Sequence, residues 1–414
     1  MKILHLLAQK PGETGSGVYL QNLVKVAGSK EYPQCVIAGI DVNDRQYVNS
    51  FPEDILFYPV FFNTSELPFP VPGMSDVMPY PSTKYSELTE DMFSLWQKAF
   101  TAALHKAASF EPDLVIVHHL WLLAVLAKKV FAQTPVIGIC HSTEFRQLVN
   151  AGQFKEYVVK GCKQLDAVAA LSSAQKNTIQ ELYGIAGNKI TVVGGGFANE
   201  KFFPPQKRPA DDKIKLLYAG KISRAKGVLS LVRAFRQLPF SKEKVELILA
   251  GSGFGAEYKE IMELIKEVRN IIYVGLVSQT ALSNLMRESH IFILPSFYEG
   301  FSLVTVEALA SGLRLVVNDL PVLREWISPE LEKSDLVRFV KMPRLRGIDE
   351  PDPQDLPAYE SRLREEIIYQ IKQVQNSHTI PLQGWQQMVY NYSWEAIFNK
   401  IEKIYRSLSG HKKL

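Results

Sequence analysis

The chain has 414 residues, 46% hydrophobic and 22% charged, with Lys plus Arg exceeding Asp plus Glu by 47 to 43. That length favours two domains, and a net charge of +4 is too small to call for nucleic acid as a partner. The three cysteines, Cys35, Cys140 and Cys162, are far apart with no CxxC pair, which excludes a disulfide framework and suits reduced thiols in a cytoplasmic protein.

In chain order, "KILHLLA" (2–8) reads as a first buried strand. Its apolar run of about six residues is cut by Gln9, Lys10, Pro11 and Gly12, shorter than the roughly seven to fifteen of a secretory signal. No stretch approaches the roughly 18 apolar residues of a membrane span. The expected location is therefore cytoplasmic, with peripheral contact at the inner membrane face left open. Strand patterns follow at 35–40, 113–119, 135–141, 167–172 and 189–195, with helical patterns at 17–28, 89–109, 121–132, 153–164 and 173–183. A stretch rich in Pro and charge (197–213) intervenes, and the alternation then restarts. Its strands are expected at 214–220, 245–251, 270–276, 290–296 and 313–319, and its helices near 226–237, 256–267, 279–288 and 302–311. Such alternation predicts parallel α/β architecture. Two sets of βα units predict two Rossmann-like, doubly wound domains at 1–197 and 214–392, a linker at 198–213 and a final helical segment at 393–414.

Two segments break the rhythm. Residues 62–86 carry five prolines and no period, so they are either functional or a surface excursion packed by their own Phe and Pro residues. Residues 343–358, acidic and Pro-rich, read as a solvated loop.

Ligands of open parallel sheets bind at the carboxyl ends of the strands, so the residues just after each strand carry the chemistry. Gly12, Gly15 and Gly17 follow the first strand, where small residues let a ligand approach a helix N-terminus; a merely structural turn is the alternative. Lys221, Arg224 and Lys226 crowd the start of a helix, which opposes its dipole unless an anion such as a diphosphate sits there; a solvated basic turn is the alternative. In "SFYEGFSLVTVEALASG" (296–312), Glu299 precedes a helix with Ser302 as its N-cap, Glu307 lies inside it, and Gly312 closes it. A carboxylate on so apolar a helix needs polar company. Either the hydroxyls of a sugar meet Glu307, or a basic side chain from another segment does.

The motifs "AGKISRAKG", "VELILAGSG", "IIYVGLVSQTALSNLM", "ESHIFILPSFYEGFSLVTVEALASG", "KITVVGGGFANEKFFP" and "YSWEAIFNKIEKIY" together resemble the retaining family 4 glycosyltransferases, whose E-x7-E element Glu299 and Glu307 match. The likeness spans nearly all of the second domain and, more loosely, the first. It implies the GT-B fold, two Rossmann-like domains facing across a cleft with the C-terminal helix crossing back to the first. It also implies a nucleoside-diphosphate sugar donor and a hydroxyl acceptor that the sequence does not identify. On this likeness Glu307 binds the donor ribose, Glu299 contacts the transferred sugar, and Lys226 and Lys221 neutralise the diphosphate. Gly220 and the backbone near Phe301, Ser302 and Leu303 line the phosphates. Gly15, Ser16 and Gly17 supply the amino-terminal glycine loop, and His141 reaches the sugar. The acceptor side takes His118, His119, Met78 and Tyr80.

The family's front-face attack, assisted by the leaving diphosphate, calls for no cofactor and no metal, and no D-x-D metal motif is present. Departures from the pattern are Lys221 for Arg, Ser302 for Gly and Arg314 for Pro, with no Gly pair before the acid matched by Glu325. Residues 62–86 have no counterpart and are expected to be acceptor-specific. A nucleotide-sugar-binding sensor or scaffold without turnover is the alternative function. A phosphorylase is a third, although no residue marks a pyridoxal lysine.

Overall fold

Apolar strands and amphipathic helices alternate twice along the chain, and each run closes a sheet of its own. The computed structural model describes residues 1–44, 47, 51–206, 213–327, 329–376 and 389–410. The chain divides into two units, Met1–Gly195 with Trp394–Leu414, and Gly196–Ser393. Residues 207–212 of the expected linker and residues 411–414 of the final segment lie outside the described residues.

The first unit's strands are β1 (Ile3–Leu7), β2 (Gln34–Asp41), β3 (Leu56–Phe62), β4 (Pro72–Gly73), β5 (Thr83–Lys84), β6 (Leu114–His118), β7 (Val136–Ile139), β8 (Ala167–Ala170) and β9 (Ile190–Val192). Its helices are α1 (Gly15–Ser29), α2 (Glu90–Ala108), α3 (Leu122–Val130), α4 (Thr143–Asn150), α5 (Lys155–Cys162) and α6 (Ser173–Tyr183). Seven strands form a parallel sheet in the order β3-β2-β1-β6-β7-β8-β9. β1, β6, β7 and β8 are buried along their whole length, as strands covered by helices on both faces must be. Leu4, Leu6, Ile37, Val115 and Val117 share a core with Trp96, Phe100 and Leu104 of α2. That helix starts where the Thr89 side chain accepts the Met92 N–H. β3 lies outside the strand patterns read from the sequence because Pro59 interrupts its run. It is tolerated because β3 is an edge strand, paired on one side only.

Residues 62–86 are not a surface excursion packed only on themselves. Leu67, Phe69, Val71, Met74 and Tyr85 belong to the first unit's core. The Met74 N–H donates to Gln9 Oε1 (3.1 Å), and Gln147 Nε2 donates to Met74 O (3.2 Å), tying the segment to the end of β1 and to α4. The C-terminal helix (Trp394–Gly410) packs on α1, where Lys30 Nζ donates to Glu402 Oε2 (2.6 Å) and Asn399 Oδ1 (2.8 Å).

The second unit's strands are β10 (Ile214–Ala219), β11 (Val245–Ala250), β12 (Ile271–Gly275), β13 (Ile291–Leu294), β14 (Arg314–Asn318) and β15 (Val337–Val340). Its helices are α7 (Val228–Arg236), α8 (Gly255–Lys266), α9 (Gln279–Glu288), α10 (Leu303–Ala310), α11 (Pro321–Trp326), α12 (Pro329–Lys333) and α13 (Leu356–Asn376). The sheet is parallel in the order β12-β11-β10-β13-β14-β15. Leu216, Leu247, Ile291 and Ile293 share a core with Leu231 and Phe235 of α7 and Leu363, Ile367 and Ile371 of α13. Across 343–358, Arg344 pairs with Asp355 (2.9 Å) and Arg346 with Asp352 (2.9 Å).

Candidate functional site

In both sheets the order reverses between the first strand of the unit and a non-consecutive neighbour: β1 beside β6, and β10 beside β13. The loops leaving such a pair diverge to opposite faces and open a crevice at the strand ends.

In the second unit the loops after β10 and β13 enclose a cavity of about 180 Å³. Its lining includes Gly220, Lys226, Ser296, Glu299, Phe301, Ser302 and Leu303. Lys226 Nζ lies 2.8 Å from Glu299 Oε1 and 3.3 Å from Tyr298 O. Glu299 therefore has a basic partner that no neighbour in sequence could supply. Ser302 holds the N-cap position of α10 but caps no backbone N–H; its Oγ lies 2.6 Å from Thr305 Oγ1. The first amides of a helix have no intrahelical acceptor, so this end presents uncapped N–H groups beside the lysine. Such an end, beside a lysine, has the chemistry to hold an anion.

Glu307 sits one helical turn further in, 7% exposed. Burial raises its carboxyl to about 7, opposed only by the charge of Lys201. Among the described residues no donor reaches that carboxylate. Lys221 is not part of the cavity lining. It is exposed, with Nζ 4.5 Å from the centre of the Phe254 ring. The Arg224 guanidinium pairs with Glu260 of α8, and its backbone N–H donates to Glu257 of the same helix; of the three cations only Lys226 lines the cavity.

Ser296 escaped the sequence reading as a site residue, although it ends a strand pattern. It is fully buried and lines the cavity, and its Oγ has no partner among the described residues. Tyr218, also missed, lines the cavity and donates its hydroxyl to Lys221 O (2.7 Å).

The first unit gathers His118, His119 and His141 at the ends of β6 and β7. His118 Nδ1 and His141 Nε2 are 3.0 Å apart with the rings stacked, and Tyr19 packs edge-on against both. Burial pushes His141 down to about 3 and His118 well below its ordinary value, so both rings are neutral near pH 7. Glu144, which the sequence reading missed, organises the group. It accepts the backbone N–H of Leu120 (3.2 Å) and of His141 (3.0 Å), and lies 3.4 Å from His119 Nδ1. Burial is the strongest influence and works to raise Glu144, but hydrogen bonding to His119, the neighbouring histidines and a backbone hydrogen bond together outweigh it and hold the carboxyl near 2. An acid in the first turn of a helix, directly after a strand and a histidine, was the signal available.

Gly15, Ser16 and Gly17 form the first turn of α1 rather than a loop, and Thr14 is the N-cap. A Cβ at Gly17 would lie 2.3 Å from Gly12 N, so this glycine serves close backbone packing. Ser16 Oγ accepts from Gln9 Nε2 (2.9 Å). Tyr80 lies against Lys10, whose Nζ is 4.3 Å from the ring centre, and Met78 packs on Gly73. Neither is brought against the histidines by any contact among the described residues. No group of three or more His, Cys, Asp or Glu side chains among the described residues is placed to hold a metal ion. No helix among them is long and apolar enough to cross a membrane.

Residues 199–333 match the family Glycosyl transferases group 1, and residues 79–200 match Glycosyltransferase Family 4. The chain belongs to the family 4 glycosyltransferases. It is 28% identical to glycogen synthase of Mycobacterium tuberculosis over 228 residues, 53% of this chain and 55% of that protein. The chain thus spans about half the length of that curated relative. It is 23% identical to alpha-maltose-1-phosphate synthase of Mycolicibacterium smegmatis over 75% of this chain and 83% of that protein. The crystal structure of Anabaena HepE in complex with UDP and glucose superposes with a TM-score of 0.68 at 17% identity, covering 98% of this chain and all of that one. The fold is GT-B.

Proposed function

We propose that the chain is a retaining glycosyltransferase that moves a sugar from a nucleoside-diphosphate donor to a hydroxyl acceptor. The carrying observation is the second unit's cavity, where a lysine, an acid and an uncapped helix end converge, with a buried acid on the same helix that has no donor among the described residues. The relatives' names, synthases of glycogen and of maltose 1-phosphate, and the UDP and glucose held by HepE support the same donor class.

In this reading the diphosphate lies over the start of α10. There Lys226 and the free amides meet the charge that develops as the bond from the sugar's anomeric carbon to phosphate breaks. The acceptor oxygen forms its bond to that carbon on the same face, and its proton passes to the leaving phosphate oxygen. No protein base is required. Glu307 takes the ribose hydroxyls, and Glu299, released from Lys226 or shared with it, takes a hydroxyl of the transferred sugar. On the family likeness His141 reaches the transferred sugar, and His118 and His119 belong to the acceptor side. No step calls for a resident metal or cofactor. Three buried free thiols fit a reducing, cytoplasmic setting.

Thermal-shift screening with UDP-glucose, ADP-glucose, GDP-mannose and the matching nucleoside diphosphates tests the donor class, since a ligand that binds the native state raises Tm. At least one donor is expected to raise Tm and to be hydrolysed slowly without acceptor. A donor that binds with no hydrolysis and no transfer to any hydroxyl acceptor would leave a binding protein without turnover. No shift with any nucleotide would overturn the reading altogether.

A further inference from the structure

We infer that Asn318 and Tyr359, neither of which lines the cavity, are positioning residues that fix the Lys226–Glu299 pair; the inference rests on the functional reading above. The chain leaves β13 through Pro295, Ser296 and Phe297 before reaching Glu299. Asn318, the last residue of the neighbouring β14, is fully buried, and its Nδ2 donates to Pro295 O (2.9 Å) and to Ser296 O (3.0 Å). Both amide hydrogens are thereby used. Its Oδ1 accepts the hydroxyl of Tyr359 (2.8 Å), itself fully buried on α13. A flipped amide would set an oxygen against two carbonyl oxygens, so the tyrosine and the two carbonyls together define one orientation.

The same three residues also carry the lysine loop. The Phe297 N–H donates to Ala225 O (3.0 Å). Gly227, at φ +70°, packs so closely that a Cβ there would lie 2.0 Å from Pro295 O. Residues 295–297 are thus a common floor, held by Asn318 and Tyr359 and bearing the Lys226 turn. Ser296, which lines the cavity and whose hydroxyl has no partner among the described residues, is set by the same bonds. The pair needs this support because a loop lysine has a long, mobile stem, and a displacement of about 1 Å at a reacting centre costs as much as a hundredfold in rate.

Two variants test the inference in the full chain: Tyr359→Phe, which removes one hydroxyl, and Asn318→Asp, which replaces both N–H donors with an oxygen. Amide hydrogen exchange over 296–301, read without any ligand, is expected to speed up about tenfold in both, the scale of one lost buried hydrogen bond. The strands β10 and β11 stay protected. Turnover of whichever of UDP-glucose, ADP-glucose or GDP-mannose is hydrolysed is expected to fall by about tenfold in Tyr359→Phe. In a Lys226→Ala background the same change is expected to cost nothing further, because the group being positioned is gone.

A structural weakening would carry through that background undiminished, and that result would overturn the inference. Unchanged exchange over 296–301 in Tyr359→Phe would overturn it too, even if Asn318→Asp failed to fold. Faster exchange in a chain whose wild type turns over no donor would uphold the positioning and overturn the functional reading instead.

Discussion

Lys226 and Glu299 close a 2.8 Å ion pair across 73 residues of sequence, because the loops that carry them leave adjacent strands at the point where the sheet reverses its order. Lys226 is about a third exposed, so the pair is worth no more than about 1 kcal/mol to stability. Under the proposed function its weight falls on the reaction. Lys226→Ala is expected to lower turnover of the preferred donor by about 100- to 1,000-fold, the scale of removing one preorganised charge stabiliser, while Tm moves by only about 2–4 °C. Lys226→Arg keeps the charge and recovers part of the rate. Nucleoside diphosphate release at saturating donor, measured beside Tm, checks both; full turnover in Lys226→Ala would remove this lysine from the mechanism.

Glu307 makes stability depend on pH in the direction opposite to most acids. Burial raises its folded-state pKa from 4.5 to about 7, so the native chain holds this proton more tightly than the unfolded chain does. Its favourable contribution is complete below about pH 4.5 and is lost as pH climbs through 7. Glu307→Gln keeps the neutral form, and its Tm advantage over the wild type should grow across that window and level off above it. Binding runs the other way, because hydroxyls donate best to the ionised carboxylate. Wild-type affinity for a nucleotide sugar should rise from pH 5 to 8, whereas Glu307→Gln binds about 10- to 100-fold more weakly at pH 8 and with little pH dependence. Calorimetric titrations at several pH values would settle the sign.

How legible the site was in the sequence follows from where each signal lies. α6 and α9 show the expected bounds, 173–183 and 279–288, because capping serines and an apolar face mark them locally. Glu299 and Lys226 were visible because each follows a strand pattern, where an unbalanced charge stands out, and Glu307 because it is a carboxylate on an apolar helix. That Glu299 meets Lys226 was not visible, since strand order is a property of the sheet and not of any window of sequence. Lys221 looked equivalent to Lys226, yet Tyr218 anchors its carbonyl and its side chain lies over Phe254. β3 was hidden by Pro59, and the burial of residues 62–86 was hidden because their apolar residues follow no period and fill a core built by other elements.

Two glycines at the strand ends should respond very differently from a third. A Cβ at Gly17 would meet backbone atoms at 2.3 Å, and one at Gly227 would meet a carbonyl oxygen at 2.0 Å in a left-handed turn, whereas Gly15 has open space around it. Gly17→Ala and Gly227→Ala are each expected to cost more than about 1 kcal/mol, since the backbone has to move. Gly15→Ala, in the first turn of α1, should be neutral or stabilising by up to about 1 kcal/mol. Urea unfolding of the three variants checks the order; an equal loss at Gly15 would give that residue a role its surroundings do not explain.

The C-terminal helix is joined to the histidine group through packing within the first unit. Trp394 stands edge-on to Tyr19 at 4.7 Å, and Tyr19 stands edge-on to His141 at 5.4 Å. Ile397, Phe398 and Ile401 are buried, so Phe398→Ala should cost about 3–5 kcal/mol. Glu402 adds a charge to the same contact. Burial works to raise its pKa, but hydrogen bonds from Lys30 and Tyr32 outweigh that and hold it below the usual carboxylate range. A depressed pKa contributes stability at neutral pH that is lost as pH falls through the carboxylate range. Glu402→Gln should therefore lower Tm at pH 7, and the gap to the wild type should close toward pH 3. A gap that stayed constant with pH would mean that the helix is held by its apolar face alone, with the Lys30–Glu402 pair contributing nothing.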